Sequence, residues 1–166
     1  MANIAIFYGS TSGSTQDVAE DIAKALGVDK SNLFDVAKAK TDFSAYDLIL
    51  FGSSTYGMGD LQDDWESYID DLKGADLNGK KTAIFGLGDS SSYSDTFCDA
   101  MRKIYDVLID KGAKVIGLTS TDGYSFDDSE AVIDGQFVGL ALDNDNEPDE
   151  TPARIANWVE TLKQNI

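Results

Sequence analysis

Six residues near the start of the chain, Ser10-Thr11-Ser12-Gly13-Ser14-Thr15, carry five hydroxyl groups and one glycine. They follow the apolar run Ile4-Ala5-Ile6-Phe7-Tyr8 and precede a helical pattern. A strand that feeds a helix through small residues aims several backbone N–H groups at one point above the positive end of the helix dipole. An anion is the expected occupant there, and glycine lets the backbone close around a phosphate. The first basic residue is Lys24, so the donors must be neutral. The stretch lacks the Gly-Lys-Ser/Thr ending of a Walker loop and the three glycines of a dinucleotide fingerprint. A Ser/Thr-rich turn capping a helix fits the same six residues equally well, and the rest of the chain has to decide.

Two further loops leave apolar runs. Ser53-Ser54-Thr55-Tyr56-Gly57-Met58-Gly59-Asp60-Leu61 follows Leu48–Phe51, and Gly88-Asp89-Ser90-Ser91-Ser92-Tyr93-Ser94-Asp95-Thr96 leaves the end of the strand read over Lys81–Gly88. Each sets one tyrosine among small residues. Either tyrosine alone could plug the edge of the core. As a pair beside a phosphate loop they fit better as walls around a flat, electron-poor ring, where each stacked pair contributes roughly 0.5–1.5 kcal/mol beyond burial.

The elements that hold these loops alternate between strand and helix. Val18, Ala19, Ile22, Ala23 and Leu26 make one helical stripe that Gly27 can stop. A short strand over Asn32–Val36 comes next. Trp65, Tyr68, Ile69 and Leu72 mark a second helix, and Phe97, Met101, Ile104, Tyr105, Leu108 and Ile109 a third, closed by Gly112. Lys114–Leu118 reads as strand, and Thr151-Pro152 as the start of a last helix with a buried stripe at Ile155, Trp158, Val159 and Leu162. Such alternation predicts a parallel sheet with helices on both faces and ligands beyond the carboxyl ends of its strands. Gln136–Leu142 also reads as strand, with no helix between it and Leu118. It is either an added edge strand or, the preferred reading, the second half of a last strand interrupted by an inserted loop. Residues 1–166 form one domain.

Composition narrows the function. Apolar content of 42% is ordinary for a globular fold, and no apolar run reaches membrane-spanning length. Without a basic segment and apolar stretch at the start, neither export nor anchoring is expected. The lone Cys98 excludes an internal disulfide and fits a reducing cytoplasm. A net charge of −17 repels nucleic acid and anionic membranes. It serves either plain solubility or the steering of basic protein partners. The absence of histidine lowers the prospect of hydrolytic or metal chemistry.

Taken in order, Ser10–Thr15, the run Tyr56-Gly57-Met58-Gly59-Asp60-Leu61-Gln62-Asp63-Asp64-Trp65, and Gly86-Leu87-Gly88-Asp89 with Tyr93 resemble the flavodoxins. Ser120-Thr121-Asp122-Gly123-Tyr124 with Phe137–Asp143 resembles their long-chain subgroup, whose last strand carries an inserted loop. The resemblance spans essentially the whole chain. It implies a three-layer α/β fold, doubly wound, with a five-stranded parallel sheet in the order 2-1-3-4-5. It also implies an FMN cofactor and a monomeric, cytoplasmic one-electron carrier rather than an enzyme. Its partners would be basic redox proteins, such as a flavodoxin/ferredoxin reductase and acceptor oxidoreductases.

The resemblance also assigns residues. Ser10, Thr11, Ser12, Gly13, Ser14 and Thr15 would bind the FMN phosphate, and Tyr56 and Tyr93 would sandwich the ring. Ser54, Thr55, Gly57 and Met58, with Leu87, Gly88 and Asp89, would meet its edge, and Cys98 would stand nearby. A lone cysteine entering a helix is more often simply buried. Many long-chain members carry Pro-Thr-Trp where this chain has Ser54-Thr55-Tyr56, so the ring would be covered less here. Gly57 can adopt positive φ cheaply, which would let the Gly57–Met58 peptide turn its carbonyl toward a protonated flavin N5. Asp60, Asp63, Asp64 and Asp89 would lower the second one-electron potential by repelling the reduced anion. Asp63, Asp64, Glu66 and the 122–134 and 143–150 loops would guide basic partners. The main alternative is a flavin-dependent reductase of quinones on the same fold, although no basic cluster suits a pyridine-nucleotide phosphate.

Overall fold

The computed structural model describes residues 3–10, 13–39, 42–56 and 59–165, without the side chain of Tyr56. Strand β1 (Ile4–Gly9) shows why the fold has three layers. Its even-numbered Ile4, Ile6 and Tyr8 pack in one core with Val18, Ile22, Trp158 and Leu162. Its odd-numbered Ala5 and Phe7 pack in the other with Trp65, Tyr68, Ile104 and Leu108. Side chains alternate across a strand, so a strand apolar at every position needs helices on both sides.

Those helices are α1 (Ser14–Leu26) on one face and, further along the chain, α2 (Asp63–Lys73) on the other. Gly27 stops α1 at φ 74, as its sequence position predicts. Between them run β2 (Leu33–Asp35), β3 (Leu48–Tyr56) and the short β4 (Asp60–Leu61). Then follow β5 (Lys81–Leu87), α3 (Ala100–Asp110) and β6 (Lys114–Val115). The sheet order is β2-β1-β3-β5, all parallel, with β4 folded back antiparallel on the end of β3. Gly9 pairs with Ser53 and Ser54 with Leu87, which levels the carboxyl ends of the three central strands.

The position beyond β5 is shared by two strands. β6 pairs with the start of β5, Val115 opposite Thr82, while Leu142 of β10 (Leu140–Leu142) pairs with its end, opposite Leu87. This is the expected order with an interrupted last strand. The strand predicted to reach Leu118 stops early because Gly117 turns to φ 78, with its carbonyl taken by Trp158 Nε1 at 2.7 Å. The chain then forms a small antiparallel sheet from β7 (Thr119–Ser120), β8 (Val132–Ile133) and β9 (Gln136–Phe137). It re-enters at Gly139, where a Cβ would stand 1.9 Å from the Ile84 carbonyl oxygen. The insertion has its own apolar centre: Tyr124, Phe126 and Phe137 pack around Phe97. Tyr124 also donates to Ala141 O at 2.6 Å and lies under the Arg154 guanidinium of α4 (Thr151–Asn165).

Three sequence expectations change at helix ends. Phe97 precedes α3 instead of lying on its stripe, and Ile109 is 50% exposed. Thr151 gives its hydroxyl to Asn144 Oδ1 at 2.5 Å, so it ties down the preceding loop rather than capping the helix itself.

Candidate functional site

The loops at the carboxyl ends of β1, β3, β5 and β10 meet around one cleft. Ser14, Ser54, Thr55, Leu87, Gly88, Asp89, Tyr93, Asn144 and Asp145 line it. The hydroxyl loop closes on itself through Ser10 Oγ, which accepts from Gly13 N at 3.0 Å. Gly13, at φ 95, turns the chain into α1, and Asp17 N donates to its carbonyl at 2.9 Å. Gly13, the N-cap of this helix, has no side chain to cap the first-turn amides. Thr15 is fully buried, and its Oγ1 lies 2.5 Å from Ser54 Oγ, joining the first loop to the second. Thr11, Ser12, Gly57 and Met58 lie outside the described residues.

At the second loop β4 pairs antiparallel with the end of β3, with Thr55 opposite Leu61 and Tyr56 opposite Asp60. Glycines let it sit tightly. A Cβ on Gly9 would meet Gln62 Oε1 at 2.2 Å and Trp65 Cδ1 at 2.5 Å. Gln62 Oε1 accepts from the amides of Asp64 and Trp65, capping α2, and Trp65 Nε1 donates to Gly52 O at 2.6 Å. Thr55 Oγ1 accepts from Ala100 N at 3.1 Å. Gly59, at φ 94, packs on the buried carboxyl of Asp99, and burial raises that carboxyl's pKa.

The third loop is held by side chains. Asp89 Oδ1 accepts from Ser91 N, Ser92 N and the Asn146 amide, and these bonds, the Ser92 amide first, hold its carboxyl below the usual range. Tyr93 N donates to Asp89 O at 2.9 Å. At 46% exposure Tyr93 is no core plug: its ring stands open at the cleft.

Among the predicted site residues, Ser14, Ser54, Thr55, Leu87, Gly88, Asp89 and Tyr93 come together here. Cys98 does not. It is fully buried at φ 55 behind Gly88, its Sγ 3.9 Å from Leu142 O, and burial pushes its thiol pKa far up. Two lining residues, Asn144 and Asp145, were not predicted as site residues. They follow the interrupted last strand, so the rule that ligands gather beyond strand carboxyl ends points to them. Asp60 is also less free than expected, since Lys103 Nζ lies 3.5 Å from it. No helix among the described residues is long and apolar enough to cross a membrane.

Known proteins resemble this chain over nearly its whole length. The family model for flavodoxin matches residues 6–158. The flavodoxin of Synechocystis sp. is 43% identical over 165 residues, covering 98% of this chain and 97% of that protein. Flavodoxin 1 of Escherichia coli K12 is 40% identical over 168 residues, covering 100% and 96%. Among solved structures, Fusobacterium nucleatum flavodoxin bound to flavin mononucleotide superposes with a TM-score of 0.92 at 32% identity, covering 100% of this chain and 99% of that one.

Proposed function

Since this chain belongs to the flavodoxin family, we infer that it is an FMN-dependent carrier of single electrons between redox proteins. One observation carries the reading: a half-exposed tyrosine lines the same cleft as Ser14, the first residue of a helix whose N-cap has no side chain. The residues present suit FMN. Ser10, Gly13 and Ser14, with Thr11, Ser12 and Thr15, would grip the phosphate through amides and hydroxyls, which suits an anion above a helix dipole. Tyr93 and Tyr56 would flank the ring, and Ser54 and Thr55 with Leu87, Gly88 and Asp89 would meet its edge. When bound, FMN supplies the capacity to take up and release electrons one at a time.

The chain's own residues then act by position and charge. Asp89 and Asp145 put negative charge at the rim of the cleft, which opposes negative charge building up inside it. The acidic surface would draw in basic reductases and acceptors, with the exposed edge of the ring as the point of transfer. We assign the chain to the long-chain subgroup, because its last strand is broken by residues 116–139. We read it as a cytoplasmic monomer without catalysis of its own.

Titration of the colourless protein with FMN tests the reading. Stoichiometric quenching of FMN fluorescence and two separate one-electron midpoint potentials on stepwise reduction are expected. Rapid oxidation of NAD(P)H by the purified protein with no reductase added would overturn the carrier assignment in favour of an enzyme.

A further inference from the structure

We propose that Asp143, at the carboxyl end of β10, is a positioning residue that sets the Tyr93 wall of the cleft. The proposal rests on the reading that the cleft holds FMN. By sequence this acid belongs to a loop expected to guide partners, yet the structure buries it completely. No ion pair reaches it among the described residues, so hydrogen bonds must satisfy its buried oxygens. Oδ2 accepts from Ser90 N at 3.2 Å and from Ser90 Oγ, and Oδ1 accepts from Asn146 N at 3.0 Å. The Asn146 side-chain amide lies 3.1 Å from both oxygens and donates at 2.8 Å to Asp89 Oδ1.

At Asp89 the same carboxylate oxygen also accepts from Ser91 N and Ser92 N, and the Asp89 main-chain carbonyl accepts from Tyr93 N. One carboxylate therefore ties together two loops that strand pairing joins only as far as the bond from Gly88 N to Leu142 O. Tyr93 depends on that tie. Its ring is nearly half exposed and enters no ring pair or side-chain hydrogen bond among the described residues, so the backbone of its loop places it. A carboxylate suits this task because it accepts several donors at once and offers none of its own. Asparagine in its place would turn an NH2 toward some of those donors and leave them unpaired.

The test compares two neighbouring acids by FMN fluorescence quenching with the full-length protein. Asp143→Asn and Asp145→Asn remove the same charge beside the cleft. If charge alone matters, both tighten FMN binding. If Asp143 positions the wall, Asp143→Asn weakens binding about tenfold and alters the visible circular dichroism of the bound flavin, while Asp145→Asn does not weaken it. In a Tyr93→Ala background the Asp143→Asn effect should shrink to about twofold or less, since the wall it acts through is gone. Asn146→Ala breaks the relay to Asp89 and leaves the carboxylate in place. It should weaken binding in the same Tyr93-dependent way, and it carries the test if Asp143→Asn does not fold. Tighter binding in Asp143→Asn, or equal weakening with and without Tyr93, overturns the proposal alone. Wild-type protein that leaves FMN fluorescence unquenched overturns the reading of the cleft, and the proposal with it.

Discussion

Two tyrosine-bearing segments leave neighbouring strands at the same edge of the sheet, and they are held in place by different forces. The segment from Gly52 to Leu61 continues β3, is paired by β4, and is held by the Trp65 Nε1 bond to Gly52 O, while Gly9 of the neighbouring strand packs closely on Gln62 and Trp65. The segment from Gly88 to Tyr93 has almost no ladder. Its shape comes from Asp89, Asp143 and Asn146. One segment is set by sterics and backbone pairing, the other by hydrogen bonds to carboxylates. The same residue type at the same place in a fold can thus answer to quite different perturbations.

The largest expected effects are steric. Gly139→Ala sets a Cβ against the rigid Ile84 carbonyl and prises β10 from β5, so urea unfolding should lose about 3 kcal/mol or more. Gly9→Ala attacks the other wall. It meets side chains that can shift, and should cost about 2 kcal/mol. If the order of these two losses is reversed, the distinction between rigid and yielding neighbours fails. Next in size, Gln62→Ala removes the acceptor for two first-turn amides of α2 and should lower stability by about 1 kcal/mol. Thermal unfolding of the FMN-free protein measures it.

Acidity separates the two segments by sign. Asp99, packed on Gly59, has a raised pKa through burial. Its contribution to stability is full below the ordinary carboxylate range and is lost as pH rises through the raised value. Asp89 has a lowered pKa through the Ser92 amide. Its contribution is full above the ordinary range and is lost as pH falls through the lowered value. Urea midpoints measured across acidic pH should therefore show Asp99→Asn gaining on wild type as pH rises, and Asp89→Asn gaining as pH falls. Parallel curves for both variants and wild type would remove the contrast. The smallest effect is electrostatic. Neutralising Asp89 should raise the second one-electron potential more than neutralising Asp60, which Lys103 already faces, and high salt should shrink both shifts.

Much of the site was legible because its signals are local. The switch from an apolar strand to hydroxyl residues to a helical stripe at Val18, Ile22 and Leu26 lies in consecutive residues, and Gly27 stops the helix as composition suggests. Tyr93 stood out because nothing beside it in sequence could bury it. The rest depended on partners far away in the chain. Asp143 meets Ser90 across 53 residues, and nothing near either residue indicates which acid is buried and which lies on the rim. Cys98 looked near the cleft by its place in the motif, but the left-handed backbone at that residue lies behind Gly88 and keeps the thiol in the core.

By itself, then, the sequence determined the alternation of elements, the two-faced burial of the central strands and the hydroxyl loop, since period and residue type are properties of short stretches. Only the tertiary structure decided that β6 and β10 share one place beside β5, that Asn144 and Asp145 reach the cleft, and that one acid in the 143–150 loop is buried at its base. Those outcomes depend on desolvation and on hydrogen bonds between distant segments, which exist only once the layers have closed.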